Sequence, residues 1–267
     1  MAARGQDAPI DSPPVVLVTR PLGSAADSLC AELEAAGFAT ARQPLLELHA
    51  LEELPATARQ RVLDLDLYQH VIFISANAVR FGMAQIENLW PQLPVGLSWY
   101  AIGAATAKLL ETHGVNAITP GALMTSEGLL AVPSLQDMQD QRVLIIKGEG
   151  GRDTLATELA ARGARVDTLA CYRRSVPALQ AGELAARIRD AEVAAILISS
   201  GEGLANLVQL LRPAETSTLA AVCLFVPSER VAQMAREAGF GQVVTAENAS
   251  DAAMLAALEQ WNNSSGD

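Results

Sequence analysis

Short turns carry the residue types that could do chemistry in this chain: Thr19-Arg20, Ser75-Ala76-Asn77, Gly103 to Thr106, Lys147 to Arg152, Ser199-Ser200-Gly201 and Pro227-Ser228. Each follows a short apolar run and precedes a stretch of helical periodicity. Free backbone N–H groups at a helix start attract anions, and small residues let a carboxylate or phosphate come close. The same residues also cap helices and make turns in any α/β protein, so each turn taken singly supports either reading. Lys147 and Arg152 bracket one turn, with Arg20, Arg173, Arg174 and Arg230 at other boundaries; these types suit carboxylates, and equally suit solvated surface pairs. Gly148-Glu149-Gly150-Gly151-Arg152 meets neither phosphate-loop spacing, so nucleotide binding is weakly supported. No serine sits in a G-x-S-x-G elbow, and His49, His70 and His113 are too far apart for a local metal motif. Tyr172, between Cys171 and Arg173-Arg174, is either a packed residue of an extended segment or a phenol donor facing a cleft.

The elements that must position these turns repeat. Val15 to Arg20 reads as a strand, and Ser24 to Ala36 as a helix ending at Gly37; Val143 to Lys147 and the stretch from Arg152 to Gly163 read the same way. At a constant offset of 126, Leu29, Glu32, Leu33 and Gly37 match Leu155, Glu158, Leu159 and Gly163. Ile74-Ser75 matches Ile198-Ser199, and Ser126-Glu127 matches Ser250-Asp251, both at 124. The repeat by itself divides the chain into 15–135 and 142–258. Continuous apolar runs such as Val71 to Ser75 and Val193 to Ser199, alternating with helices, predict two similar doubly wound parallel sheets. Ligands of such sheets bind outside the carboxyl ends of the strands, where the turns lie.

The 267 residues suffice for two cores, and 50% hydrophobic with 18% charged residues excludes a disordered chain. A net charge of −11 disfavours nucleic acid and anionic membranes as partners. The apolar run Leu219 to Val226 is far short of the ~20 residues of a membrane span. Met1 to Pro14 lacks the apolar stretch of a secretory signal, which predicts a cytoplasmic protein. Cys30, Cys171 and Cys223, odd in number and set in apolar surroundings, read as buried free thiols.

In order and spacing these motifs resemble the uroporphyrinogen-III synthase family from about Val15 to Leu258. The resemblance is carried by Thr19-Arg20, Pro44-Leu45, Ile74-Ser75-Ala76-Asn77-Ala78-Val79, Ala101 to Ala107, and Ser126-Glu127-Gly128-Leu129-Leu130. Gly148 with Gly151-Arg152, Tyr172 with Arg174, and Ala249 to Met254 complete it. It implies two flavodoxin-like α/β domains joined by a two-stranded crossover, with the first β-loop-α unit exchanged into the C-terminal half. Domain 1 is then 14–44 plus 176–260 and domain 2 is 51–170, with linkers 45–50 and 171–175 and flexible tails 1–13 and 261–267. Short linkers allow hinge motion that closes on a ligand.

The implied reaction is cofactor-free and metal-free. Hydroxymethylbilane loses water to give an azafulvene, ring D is attacked through its substituted carbon, and a spirocyclic pyrrolenine reopens and recloses with ring D inverted. The bilane closes by itself to the type I isomer, so the protein must orient and restrain it. The substrate bears an acetate and a propionate on every pyrrole. The resemblance assigns their recognition to backbone amides with Ser75, Asn77, Gly103, Thr106, Gly148, Ser199, Ser200 and Ser228, and secondarily to Arg20, Lys147 and Arg152. Neutral donors avoid burying many unpaired cations. Tyr172, a phenol with an ordinary pKa of ~10, is the expected donor to the departing hydroxyl. Val226-Pro227-Ser228-Glu229 departs from the expected turn, and the Glu229 charge would repel an anion there. A monomer is expected, with a transient contact to the enzyme that makes the substrate. The alternatives are a non-catalytic tetrapyrrole- or polycarboxylate-binding regulator of the same fold and a nucleotide-sugar transferase.

Overall fold

In the computed structural model, residues 13–121, 123–151, 153–212, 215, 219 and 222–265 are described. They fall into two compact units, one running to Glu47 and resuming at Ser175, the other Leu48–Arg174. The first unit has strands β1 (Val15–Val18), β2 (Ala39–Arg42), β8 (Val193–Leu197), β9 (Cys223–Val226) and β10 (Val243–Thr245). They pair in the order β10-β9-β8-β1-β2, all parallel. Helices α1 (Ser24–Ala35), α7 (Glu183–Asp190), α8 (Gly201–Leu210), α9 (Glu229–Glu237) and α10 (Asp251–Ser265) accompany it.

The second unit has β3 (Glu47–Ala50), β4 (His70–Phe73), β5 (Ser98–Ala101), β6 (Arg142–Gly148) and β7 (Arg165–Ser175) in the order β3-β7-β6-β4-β5. Its helices include α2 (Ala56–Leu63), α3 (Ala76–Leu89), α4 (Ala104–Glu111), α5 (Ser126–Leu130) and α6 (Thr154–Ala161). The contiguous division at 15–135 and 142–258 does not hold: β1 pairs with β8, and β6 pairs with β4. Each sheet takes the β-loop-α unit of the other half of the repeat. The exchange is possible because both copies present the same short apolar parallel edge. The parallel bridge between Tyr100 and Ile118 stands where β10 stands in the first sheet.

Alternation along each strand fills both faces of the sheets, which is why the strands read as unbroken apolar runs. In the second unit Val71, Phe73, Leu144 and Ile146 pack with Val79, Met83 and Ile86 of α3. Ile72, Val143 and Ile145 pack on the other side with Leu129, Leu155 and Leu159. Burying one such side chain contributes about 1.5–3 kcal/mol. Gly82 sets how closely α3 approaches: a Cβ there would lie 2.5 Å from Ile146 Cγ2 and 3.3 Å from Phe73 Cε1. In the first unit α1 and α10 cover one face through Leu29, Leu33, Met254 and Leu258.

Residues 261–265, expected in a flexible tail, continue α10 instead, because Trp261 meets Phe225 edge-on at 5.7 Å and extends the buried face. Residues 1–12 and 266–267 of the expected tails lie outside the described residues. Helix α5 is capped by Thr125, whose hydroxyl accepts from Gly128 N at 3.1 Å, one residue before the repeated Ser126. Among the described residues, no helix is long and apolar enough to cross a membrane.

Candidate active site

In the second unit the carboxyl ends of β4, β6 and β7 bring Ser75, Gly148 and Tyr172 together. Ser75 is the N-cap of α3, its Oγ accepting from Ala78 N at 3.0 Å. The same oxygen lies 3.4 Å from the Tyr172 hydroxyl, and either group can donate. The Tyr172 ring stacks on Phe81 of α3, with centroids 5.2 Å apart and planes at 28°. It also lies against Gly148, where an added Cβ would be 2.7 Å from Tyr172 Cζ. With 6% exposure, Tyr172 is a core residue whose phenol sits at the edge of the core, so the packed reading and the donor reading of this side chain are compatible.

A local irregularity aims the ring. Strands β6 and β7 run in step from Arg142 opposite Arg165 to Lys147 opposite Ala170, but Gly148 then faces Tyr172 and Cys171 has no counterpart. Such a bulge turns the following side chain over. Leu169, Cys171 and Tyr172 therefore all join the cluster under α3, whereas strict alternation would send Tyr172 to the opposite face.

The other expected residues of this unit differ in what they offer. Asn77, in the first turn of α3, is half-buried. Gly103 is the N-cap of α4, with Met124 side-chain atoms 3.5 Å from where its Cβ would be. Thr106, one turn into α4, is buried at 4% exposure and faces the core, not solvent. Lys147 belongs to the strand, and its ammonium donates to Asp153 Oδ1 at 2.8 Å, so its charge already has a carboxylate. That pair lines a cavity of about 30 Å³ with Ser126 and Thr168, room for about one water. Arg152 lies outside the described residues.

In the first unit Thr19 Oγ1 donates to the Leu197 carbonyl at 2.5 Å, joining the ends of β1 and β8. Arg20 is paired with Asp251 and donates to the Ala249 carbonyl at 3.2 Å, tying the first turn to the start of α10. Ser200 is exposed and caps α8 by accepting from Gly203 N at 3.1 Å, with the half-buried Ser199 before it. Ser228 begins α9, yet its hydroxyl makes no capping bond. The Glu229 carboxylate is engaged by Arg236 at 2.6 Å and Thr245 at 3.1 Å, and these bonds hold its pKa below the usual carboxylate range.

The family described as uroporphyrinogen-III synthase HemD matches residues 27–256. The uroporphyrinogen-III synthase of Salmonella typhimurium is 36% identical over 246 residues, covering 91% of this chain and 99% of that one. The Escherichia coli protein of the same name is 35% identical over 249 residues, with 91% and 99% covered. The chain belongs to the uroporphyrinogen-III synthase family. Crystal structures of uroporphyrinogen-III synthases share its fold. A Thermus thermophilus mutant enzyme has a TM-score of 0.57 at 18% identity, covering 94% of this chain and 98% of its own. The Helicobacter pylori protein has a TM-score of 0.59 at 16% identity, covering 93% and 99%.

Three features of this cluster escaped the sequence. Phe81 looked like one more apolar residue of α3, Gly82 like a weak helix residue, and the bulge at Cys171 has no signature in a single chain. The phrase Phe81-Gly82 inside an otherwise well-formed helix was the available signal, since a mid-helix glycine marks close packing or function. Two of the three histidines are engaged elsewhere, His70 Nδ1 with the Tyr100 phenol at 3.0 Å and His113 Nδ1 with Glu87 at 2.6 Å. Among the described residues no cluster of His, Cys, Asp and Glu could hold a metal ion.

Proposed function

We propose that Tyr172 donates the proton that lets the terminal hydroxyl of hydroxymethylbilane leave, and that Ser75 holds the phenol for that transfer. The chain is a cyclising hydro-lyase, a uroporphyrinogen-III synthase by family. The C–O bond of the hydroxymethyl group breaks, the phenol proton goes to the departing oxygen as water forms, and the protonated azafulvene is captured by the substituted carbon of ring D. The spirocyclic pyrrolenine then breaks its bond to the ring C bridge, and that bridge recloses on the free α-carbon of ring D. The proton lost when the inverted macrocycle regains its aromatic pyrroles returns the phenolate to phenol. Holding a flexible bilane in one reactive conformation accounts for much of the selectivity over spontaneous type I closure.

The observation that carries this reading is the contact of the Tyr172 hydroxyl with the Ser75 hydroxyl at the carboxyl edge of the sheet. In the same reading Ser75, Asn77, Gly103 and Gly148 are donors to substrate carboxylates, and Ser199, Ser200 and Ser228 are candidate anion donors of their own unit. The charges of Arg20 and Lys147 are already occupied by Asp251 and Asp153, which ranks these two below the neutral donors, and Thr106 contributes through packing. The chain works as a cytoplasmic monomer that takes the labile bilane in transient contact with the enzyme that makes it. The buried free thiols Cys30, Cys171 and Cys223 suit a reducing compartment.

The test supplies freshly generated hydroxymethylbilane to the purified protein without added metal, oxidises the products and separates the uroporphyrin isomers. Predominantly type III is expected; type I at the spontaneous rate overturns the reading. Tyr172→Phe should lower turnover by about 10²-fold or more, the usual scale of a general acid. Full turnover and fidelity in that variant would remove Tyr172 from the chemistry.

A further inference from the structure

The Phe81 ring that supports Tyr172 also carries a cation: the Arg80 guanidinium carbon lies 5.2 Å from its centroid. Arg80 is exposed, and among the described residues no carboxylate pairs with it, although Arg20, Arg61, Arg187, Arg212 and Arg236 all have acidic partners. Its own helix offers none: positions three and four away are Ala76, Asn77, Met83 and Ala84. Arg59, Arg173 and Arg230 also lack a carboxylate partner among the described residues; Arg80 differs from them in lying over the ring that stacks on Tyr172. A guanidinium resting on a ring keeps its in-plane N–H groups available for a carboxylate fork. Asn77 precedes Arg80 by three residues, so both rise from one face of α3, a neutral amide donor next to a cation.

We propose that Arg80 and Asn77 form a carboxylate subsite beside Tyr172, with Phe81 as the floor shared by the guanidinium and the phenol. The subsite takes an acetate or propionate of the bilane and contributes to holding it. This rests on the reading of the chain as the enzyme that turns over hydroxymethylbilane. Arg80 binds and does not transfer a proton, so its loss raises KM and leaves kcat nearly unchanged.

The experiment measures kcat, KM and the isomer ratio with hydroxymethylbilane for the wild type, Arg80→Gln, Arg80→Lys and the charge control Arg189→Gln. Arg189 is an exposed residue of the other unit, beside Asp190. Arg80→Gln should raise KM about 5–20-fold with kcat within about twofold, and its KM should depend less on salt than that of the wild type. Arg80→Lys, which keeps the charge and loses the fork, should fall between; Arg189→Gln should match the wild type. If the wild type yields only type I product, the functional reading fails and takes the subsite with it. If the wild type yields type III while Arg80→Gln keeps a normal KM and salt dependence, or loses kcat at normal KM, the subsite alone is overturned. Thermal unfolding of each variant separates loss of fold from loss of binding.

Discussion

Replacing Gly148 with alanine tests whether the placement of the Tyr172 ring matters for the chemistry. The new methyl would lie 2.7 Å from Cζ, 2.8 Å from Cε2 and 3.1 Å from the hydroxyl oxygen of Tyr172. Carbon atoms sit comfortably at about 3.5 Å or more, so the ring or the strand must give by roughly 0.8 Å. Phe81 is stacked on the same ring, so the displacement cannot be absorbed freely on that side. Misplacing a reacting group by ~1 Å costs about 10²-fold in rate, whereas overpacking of this kind costs about 1–3 kcal/mol of stability. Gly148→Ala should therefore lower kcat about 10–100-fold with KM within about threefold, in a protein that remains folded. Steady-state kinetics with hydroxymethylbilane, isomer analysis and thermal unfolding give the three readouts. Because both changes act through one phenol, Gly148→Ala combined with Tyr172→Phe should be little slower than Tyr172→Phe alone. A folded Gly148→Ala with wild-type kcat and fidelity would refute the reasoning, and so would full additivity in the double variant.

Gly82→Ala should destabilise the protein by a net of about 1–2 kcal/mol, the clash with Ile146 Cγ2 at 2.5 Å outweighing the gain in helix propensity. Its Tm in calorimetry should fall by about 2–4 °C for each kcal/mol. Burial pushes the Cys171 thiol up to about 12 and the Cys223 thiol up to about 11. Their contribution is complete below pH ~9 and is lost as pH rises toward those values, because the unfolded thiols ionise first. Denaturant titrations should show stability falling above pH ~9, less steeply in Cys223→Ala, and a thiol reagent at neutral pH should react only after unfolding. Burial also lowers the pKa of His70, so the unfolded imidazole takes up a proton first as pH falls below ~6.5. Stability should decline through that range, and His70→Gln should flatten the acid limb of the profile.

Much of the candidate site was legible because strand-end turns announce themselves chemically. Ser75 and Ser200 stand where an apolar run gives way to a helix, and both cap the helix that follows. The arginines and lysine were less legible. Arg20 and Lys147 look like free cations in the sequence, yet Asp251 and Asp153 occupy them, and the pairing of Arg20 joins residues far apart in the chain. Nothing local in the sequence marks Arg80, because the feature that distinguishes it is the ring beneath it.

The sequence by itself determined the duplicated α/β plan, the parallel strands and the turns at their carboxyl ends, since these follow from local patterns of apolar, small and capping residues. Tertiary structure decided which β-loop-α unit joins which sheet, a choice between two nearly equivalent edges that no local pattern encodes. It also decided where Tyr172 points. One unmatched residue, Cys171, turns the phenol from one face of the sheet to the other, and strand alternation read along a single chain cannot reveal a register that exists only between two strands.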